Sequence, residues 1–136
     1  MKTGKGLSLA LAAAVALFGS FAWAEGDAAK GKTGYKKCKA CHTIEEGGKN
    51  KIGPNLFAIG GRQAGTVPKY KYSKSYVTAG EKGLVWTEEN LVEYLADPKA
   101  FIRQASGDPK GRTKMPLKLK KEATRRDVAA YLMTQK

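Results

Sequence analysis

The chain has 136 residues and a formal net charge of +13, from 25 lysines and arginines against 12 acids. That length makes one domain of ordinary size, and no repeat, low-complexity linker or nucleic-acid recognition motif accompanies the charge. Two cysteines and one histidine are too few for a disulfide framework or for the four protein ligands of structural zinc.

Lys2 and Lys5 precede an apolar run from Leu7 to Phe18, broken only by Ser8, and Ala22-Trp23-Ala24 has a small residue on each side of its tryptophan. This is the layout of a secretory signal peptide with its cleavage site. The run is about a dozen residues, short of the ~20 that a spanning helix needs; an uncleaved membrane anchor is the alternative reading. Residues 1–24 are therefore expected to be removed, leaving a domain over 25–136 that starts at Glu25. Two lysines and no acid leave with the peptide, so the remaining 112 residues carry +11. The expected location is the bacterial periplasm, without an anchor.

Ala28, Gly31, Tyr35 and Cys38 recur at steps of three and four with lysines between them, which predicts an amphipathic helix. It leads into Cys38-Lys39-Ala40-Cys41-His42. A C-x-x-C-H string is the attachment signal of c-type haem: two thiols bond the porphyrin and the adjacent imidazole becomes an iron ligand. Both cysteines of the chain are used, and a thioredoxin-like dithiol would need a βαβ context that is not evident.

Residues 43–72 are rich in Gly, Lys and Pro and read as loops. Thr87 is a plausible N-cap with Glu88 and Glu89 in the first turn; Leu91, Tyr94 and Leu95 would face inward, and Asp97-Pro98 ends that helix. Pro98 can open a short further helix through Phe101. A last helix is expected over about 121–134, with Val128, Tyr131 and Leu132 on one side. The class is all-α, with long loops wrapped on one cofactor that supplies part of the core.

In their order these motifs carry a resemblance. The pentad is followed by Ile52-Gly53-Pro54-Asn55-Leu56, Gly61-Arg62, Leu84-Val85-Trp86, Glu93-Tyr94-Leu95-Ala96-Asp97-Pro98, Thr113-Lys114-Met115 and Val128-Ala129-Ala130-Tyr131-Leu132. The chain resembles the class I cytochromes c, in particular the cytochrome c2 and mitochondrial group. That implies a fold in which the first helix, at Gly31 and Tyr35, packs on the last, with loops around a single haem c held by Cys38 and Cys41.

His42 is the one imidazole, so a second histidine ligand within the chain is excluded, and Met115 and Met133 are the methionines left beyond residue 24. Met133 follows the apolar Tyr131-Leu132 pair, where helix packing or exposure explains it. Met115 lies in a turn-like Lys114-Met115-Pro116 segment, and the resemblance implies that it is the second metal ligand beside His42; a lysine ligand is the lesser alternative. Pro54 would accept the imidazole N–H. Arg62, Tyr72 and Trp86 would hold a haem propionate, Tyr94 would stand beside the methionine sulfur, and Thr113 near a propionate. Simple core packing of Trp86 and Tyr94 is the competing reading. Two stretches, Tyr72–Trp86 and Ile102–Thr113, are longer than in the short mitochondrial pattern, and a longer loop beside Met115 would be expected to hold it less firmly.

The resemblance further implies a monomeric one-electron carrier between a cytochrome bc1 type donor and a photosynthetic reaction centre or cytochrome oxidase. Lys36, Lys37, Lys39, Lys114, Lys118, Lys120 and Lys121, with Lys49, Lys51, Lys69 and Lys99, would form a face for transient docking on acidic patches of these complexes. A peroxidase-like haem enzyme is the alternative class, and it wants an open iron and a distal acid or base. A dedicated electron acceptor for a periplasmic dehydrogenase would differ only in its donor. Nucleic acid is not an expected partner.

Overall fold

Five helices and one short 3-10 turn form the described part of the chain: α1 (Ala28–Gly34), the 3-10 turn (Tyr35–Lys37), α2 (Lys74–Glu81), α3 (Glu88–Ala96), α4 (Pro98–Ser106) and α5 (Glu122–Met133). This computed structural model describes Met1 and residues 25–136, so the expected signal peptide lies, but for its first residue, outside the described residues. Among the described residues no helix is long and apolar enough to cross a membrane.

Asp27 starts α1, its carboxylate accepting from the amides of Ala29 and Lys30 at 2.9 and 3.1 Å, which satisfies two donors that the first turn leaves free. The 3-10 turn then tightens the chain, and the amides of Cys41 and His42 both bond the carbonyl of Cys38. The pentad is thus a closed turn at the end of a helix.

α1 and α5 cross at glycine. A Cβ at Gly31 would stand 1.9 Å from the carbonyl oxygen of Asp127, and one at Gly34 would press on Val128 at 2.8 Å. Tyr35, 1% exposed, sets its ring 5.5 Å from that of Tyr131. Because the obstacle at Gly31 is backbone, Gly31→Ala must push the two helices apart; over-packing of this kind costs about 1–3 kcal/mol or more. The denaturant midpoint of that variant should fall with the slope unchanged.

Thr87 and Asn90 cap each other at the start of α3 in a reciprocal box. Leu91, Val92, Tyr94 and Leu95 turn inward and are buried. α4 is longer than the sequence suggests. It opens at Pro98 as expected but runs past Phe101 to Ser106, where Gly107 closes it in the left-handed conformation at φ 70°. α2 falls in the stretch between Tyr72 and Trp86, where no helix is expected from the pattern. Ser73 caps it by accepting from the amide of Tyr76 at 3.2 Å. Residues 43–72 form turns and loops, as expected, and among the described residues the sole β pairing is an isolated bridge between Gln63 and Val85.

Asp97 links α3 and α4 to the segment beyond Met115. It caps α4 by accepting from the amide of Ala100 at 3.0 Å, and Lys118 Nζ lies 2.7 Å from its other oxygen. The Lys118 bond and then the Ala100 amide hold the Asp97 carboxyl below its ordinary range. A carboxyl depressed by folding adds stability above its unfolded pKa and loses it as pH falls through the folded value. Asp97→Asn should therefore be less stable than the parent chain at neutral pH, and the two should converge in acid; a gap independent of pH would contradict the ion pair.

Candidate functional site

The amide of Gly53 bonds the carbonyl of Cys41 at 2.7 Å, and that of Leu56 bonds Thr43 at 2.9 Å. These bonds lay the loop of Gly53-Pro54 along the pentad. A Cβ at Gly53 would fall 2.3 Å from Cε1 of His42, so only glycine leaves room for the imidazole there. On the other side of the same loop, His42 Nδ1 donates to the carbonyl of Pro54 at 2.7 Å. Burial lowers the imidazole pKa against the opposing pull of that bond, and Lys51 adds to the lowering. The ring is neutral, its proton sits on Nδ1, and the Nε2 lone pair is left to bind a metal.

Burial, with Cys41 as the next cause, pushes the Cys38 thiol up to about 11. Reactive or redox cysteines have depressed values, and the shift at Cys38 runs the other way. Among the described residues no group of three or more His, Cys, Asp or Glu is arranged to hold a metal ion.

Cys38, Cys41, His42, Pro54, Arg62, Tyr72, Trp86, Tyr94, Thr113 and Met115 all line one cavity. Leu56, Ile59, Leu91, Leu95, Leu117 and Leu132 supply much of the rest of its wall, and such a wall suits a flat, largely apolar ligand. Met133 is not part of it; its sulfur packs 2.8 Å from where a Cβ at Gly60 would stand.

The polar groups of the cavity are ordered by their neighbours. Arg62 donates to the carbonyls of Asn55 and Phe57 at 3.2 and 3.3 Å, which leaves further guanidinium donors for a carboxylate. Tyr72 accepts from the amide of Val67 at 3.2 Å. The hydroxyls of Tyr94 and Thr113 are 3.4 Å apart, and Thr113 Oγ1 also accepts from the amide of Met115 at 3.4 Å. Thr113 is thereby tied to the methionine segment directly. Burial pushes Tyr94 up to about 12, so it stays a neutral hydrogen-bonding phenol. Trp86 and Tyr94 are also core residues, 3% and 6% exposed, with rings 5.0 Å apart; packing and site roles coincide in them.

Two aromatic cavity residues escape the sequence reading. Tyr76 on α2 stacks on Tyr72 at 5.0 Å and meets Tyr94 edge-on at 6.3 Å, and burial raises its pKa strongly. The i, i+4 spacing of Tyr72 and Tyr76 behind the capping Ser73 is the signal that could have found it. Tyr70 donates to the carbonyl of Ile52 at 2.8 Å, and Lys114 Nζ lies 5.7 Å from its ring centre. Lys37, Lys114 and Ile52, which is 70% exposed, stand at the cavity lip. The other lysines expected on this face are exposed, and among them Lys118 is paired with Asp97.

Residues 28–136 match the family model described as "Cytochrome c". The chain is 50% identical over 130 residues to the cytochrome c2 of Rhodospirillum rubrum (strain ATCC 11170), covering 96% of each sequence. It is 51% identical to a second Rhodospirillum rubrum cytochrome c2 sequence over 112 residues, 82% of this chain and 100% of that one. The solved structure of cytochrome c2 from Rhodospirillum centenum superposes with a TM-score of 0.77 at 46% identity, over 81% of this chain and 98% of that chain.

Proposed function

The chain belongs to the cytochrome c family, and from that premise we propose that it is a periplasmic one-electron carrier with His42 and Met115 as its two metal ligands. Like its cytochrome c2 relatives it is an electron-transport haem protein, with one haem c bound through Cys38 and Cys41. The observation that carries the finer reading is the meeting of Cys38, Cys41, His42 and Met115 in a single apolar cavity, with His42 Nδ1 engaged by Pro54.

The residues present fit the group. Two cysteines and a neutral imidazole share one turn, Gly53 makes the space the ring needs, and Arg62 retains donors for a buried propionate that would be costly unpaired. The haem iron, when bound, takes up and releases one electron. Pro54 fixes the tautomer and orientation of His42. Met115 offers a soft, neutral sulfur that favours the reduced metal and raises the potential. Thr113 and Tyr94 steady the Met115 backbone from within the cavity. With His42 and Met115 both serving as ligands, no open metal position would remain for peroxide, which favours a carrier over an enzyme.

Cleavage after Ala24 rests on the basic start, the apolar run and the Ala22-Trp23-Ala24 tripeptide. The exposed lysines at the cavity lip support transient docking, on an acidic face of a cytochrome bc1 type donor and of a reaction centre or oxidase. Following oxidation of the reduced protein by membranes of its source organism tests this. Flash-driven oxidation identifies a reaction-centre donor, whereas oxidation in the dark that needs oxygen identifies a respiratory carrier. In either case the rate should fall as salt is added. A rate independent of salt would remove the lysine face from the reading, and reduction only by a periplasmic dehydrogenase would replace the bc1 type donor.

A further inference from the structure

Two serines are buried, Ser75 at 8% exposure and Ser106 at 2%, and both belong to one hydrogen-bonded cluster. Ser75 sits on α2 and donates to Asp108 Oδ2 at 3.2 Å, while its Oγ accepts from the amide of Arg112 at 3.2 Å. Ser106 accepts from the amide of Asp108 at 3.2 Å. Ser73 donates to the carbonyl of Arg112 at 2.5 Å, and Arg103 Nε to that of Gly111 at 3.0 Å. Gly111 is itself buried, and a Cβ there would stand 3.2 Å from Ser75. The cluster therefore joins the two stretches that are long in this sequence: α2 belongs to one, and residues 107–112 to the other. Immediately beyond it the chain is held again, at Thr113 by Tyr94 and at Lys114, whose Nζ donates to the carbonyl of Lys71. No residue from 111 to 115 lacks a tether.

We infer that Ser75 is a positioning residue for Met115: through Asp108 and Arg112, α2 clamps the long 107–112 loop, so that the methionine segment leaves a fixed anchor. A fully satisfied buried polar cluster rigidifies its surroundings, and a partly satisfied one does not. The inference rests on Met115 being a metal ligand. It reverses the expectation that a longer loop holds Met115 less firmly.

The test is carried out on the ferric holoprotein with imidazole, which competes with Met115 for the metal. Ser75→Ala orphans the Arg112 amide, and the hold on the loop should weaken by roughly tenfold in equilibrium terms. Imidazole should therefore bind about tenfold more tightly, and exchange of the Arg112 amide should speed up. Asp108→Ala should act in the same direction, and the double variant should fall short of the sum of the two, as coupled partners do. Asp108 is exposed, so D108A keeps the test available should S75A not fold. Unchanged imidazole affinity in the variants, with the methionine–iron charge-transfer band intact, overturns the inference even if they are less stable to denaturant. Strictly additive effects overturn it too. Absence of that band in the parent protein instead removes Met115 as ligand, and the inference with it.

Discussion

Replacing Met115 by alanine lowers the reduction potential by on the order of a few tenths of a volt, well inside the ~0.8 V range over which axial ligands set haem potentials. The direction follows from charge and softness. A neutral thioether donates weakly to ferric iron and well to ferrous iron, so removing it favours the oxidised state. Water admitted to the vacated side adds to the effect, because a more polar surrounding stabilises the extra charge of the oxidised metal. Cavity geometry supports this choice of residue: Met115 lines the wall that holds His42, whereas Met133 packs outside it against Gly60. The variant should also bind added imidazole or cyanide far more tightly and gain peroxidase-like turnover, since an open position is what a haem enzyme needs. Redox titration of the purified variant is the measurement. A potential equal to that of the parent chain would mean that another group, such as a lysine, is the ligand.

Sequence patterns reveal most where residues announce their own geometry. The pentad, the cap at Thr87 and Pro98 at the start of α4 are such cases. Each joins a side chain to a neighbour within a few residues or fixes a turn, and the structure places all ten expected site residues on one cavity. α2 is the opposite case. Val77 and Thr78 are β-branched and Gly80 is flexible, so its intrinsic helix preference is weak. Its stability comes from tertiary contact: the carbonyl of Ala64 comes so close to Gly80 that a Cβ there would stand 1.9 Å away. That approach joins residues far apart in sequence and leaves no periodic trace. The underestimate of α4 has a different cause. Phe101 is a natural place to stop counting an apolar face, yet Ile102 is 0% exposed, and the stop is set by Gly107 in the left-handed conformation. Thr113 gains contacts that no local pattern announces: its hydroxyl meets Tyr94 and accepts from the Met115 amide, and both depend on how the long loop returns.

Replacing both Cys38 and Cys41 by alanine removes the covalent hold on the cofactor and should leave the folded state marginal or lost. Alanine is the appropriate probe, because a serine at Cys38, which is 6% exposed, would bury a hydroxyl at an added cost of about 1–3 kcal/mol. Leu56, Ile59, Leu91, Leu95 and Leu132 all face the cavity, and each is worth roughly 1.5–3 kcal/mol when fully buried. Their sum is comparable to the ~5–15 kcal/mol that holds a whole domain folded, so the fold is sensitive to what fills the cavity they line. With thioether bonds the group cannot leave, whatever the concentration. Without them occupancy follows mass action, and stability becomes dependent on added haem. In the double variant, denaturation followed by extraction should separate the haem from the chain, and thermal stability should rise as haem is titrated in. Each single variant should keep its haem through the remaining sulfur. Haem that stays with the denatured double variant would show that these thiols are not the points of attachment.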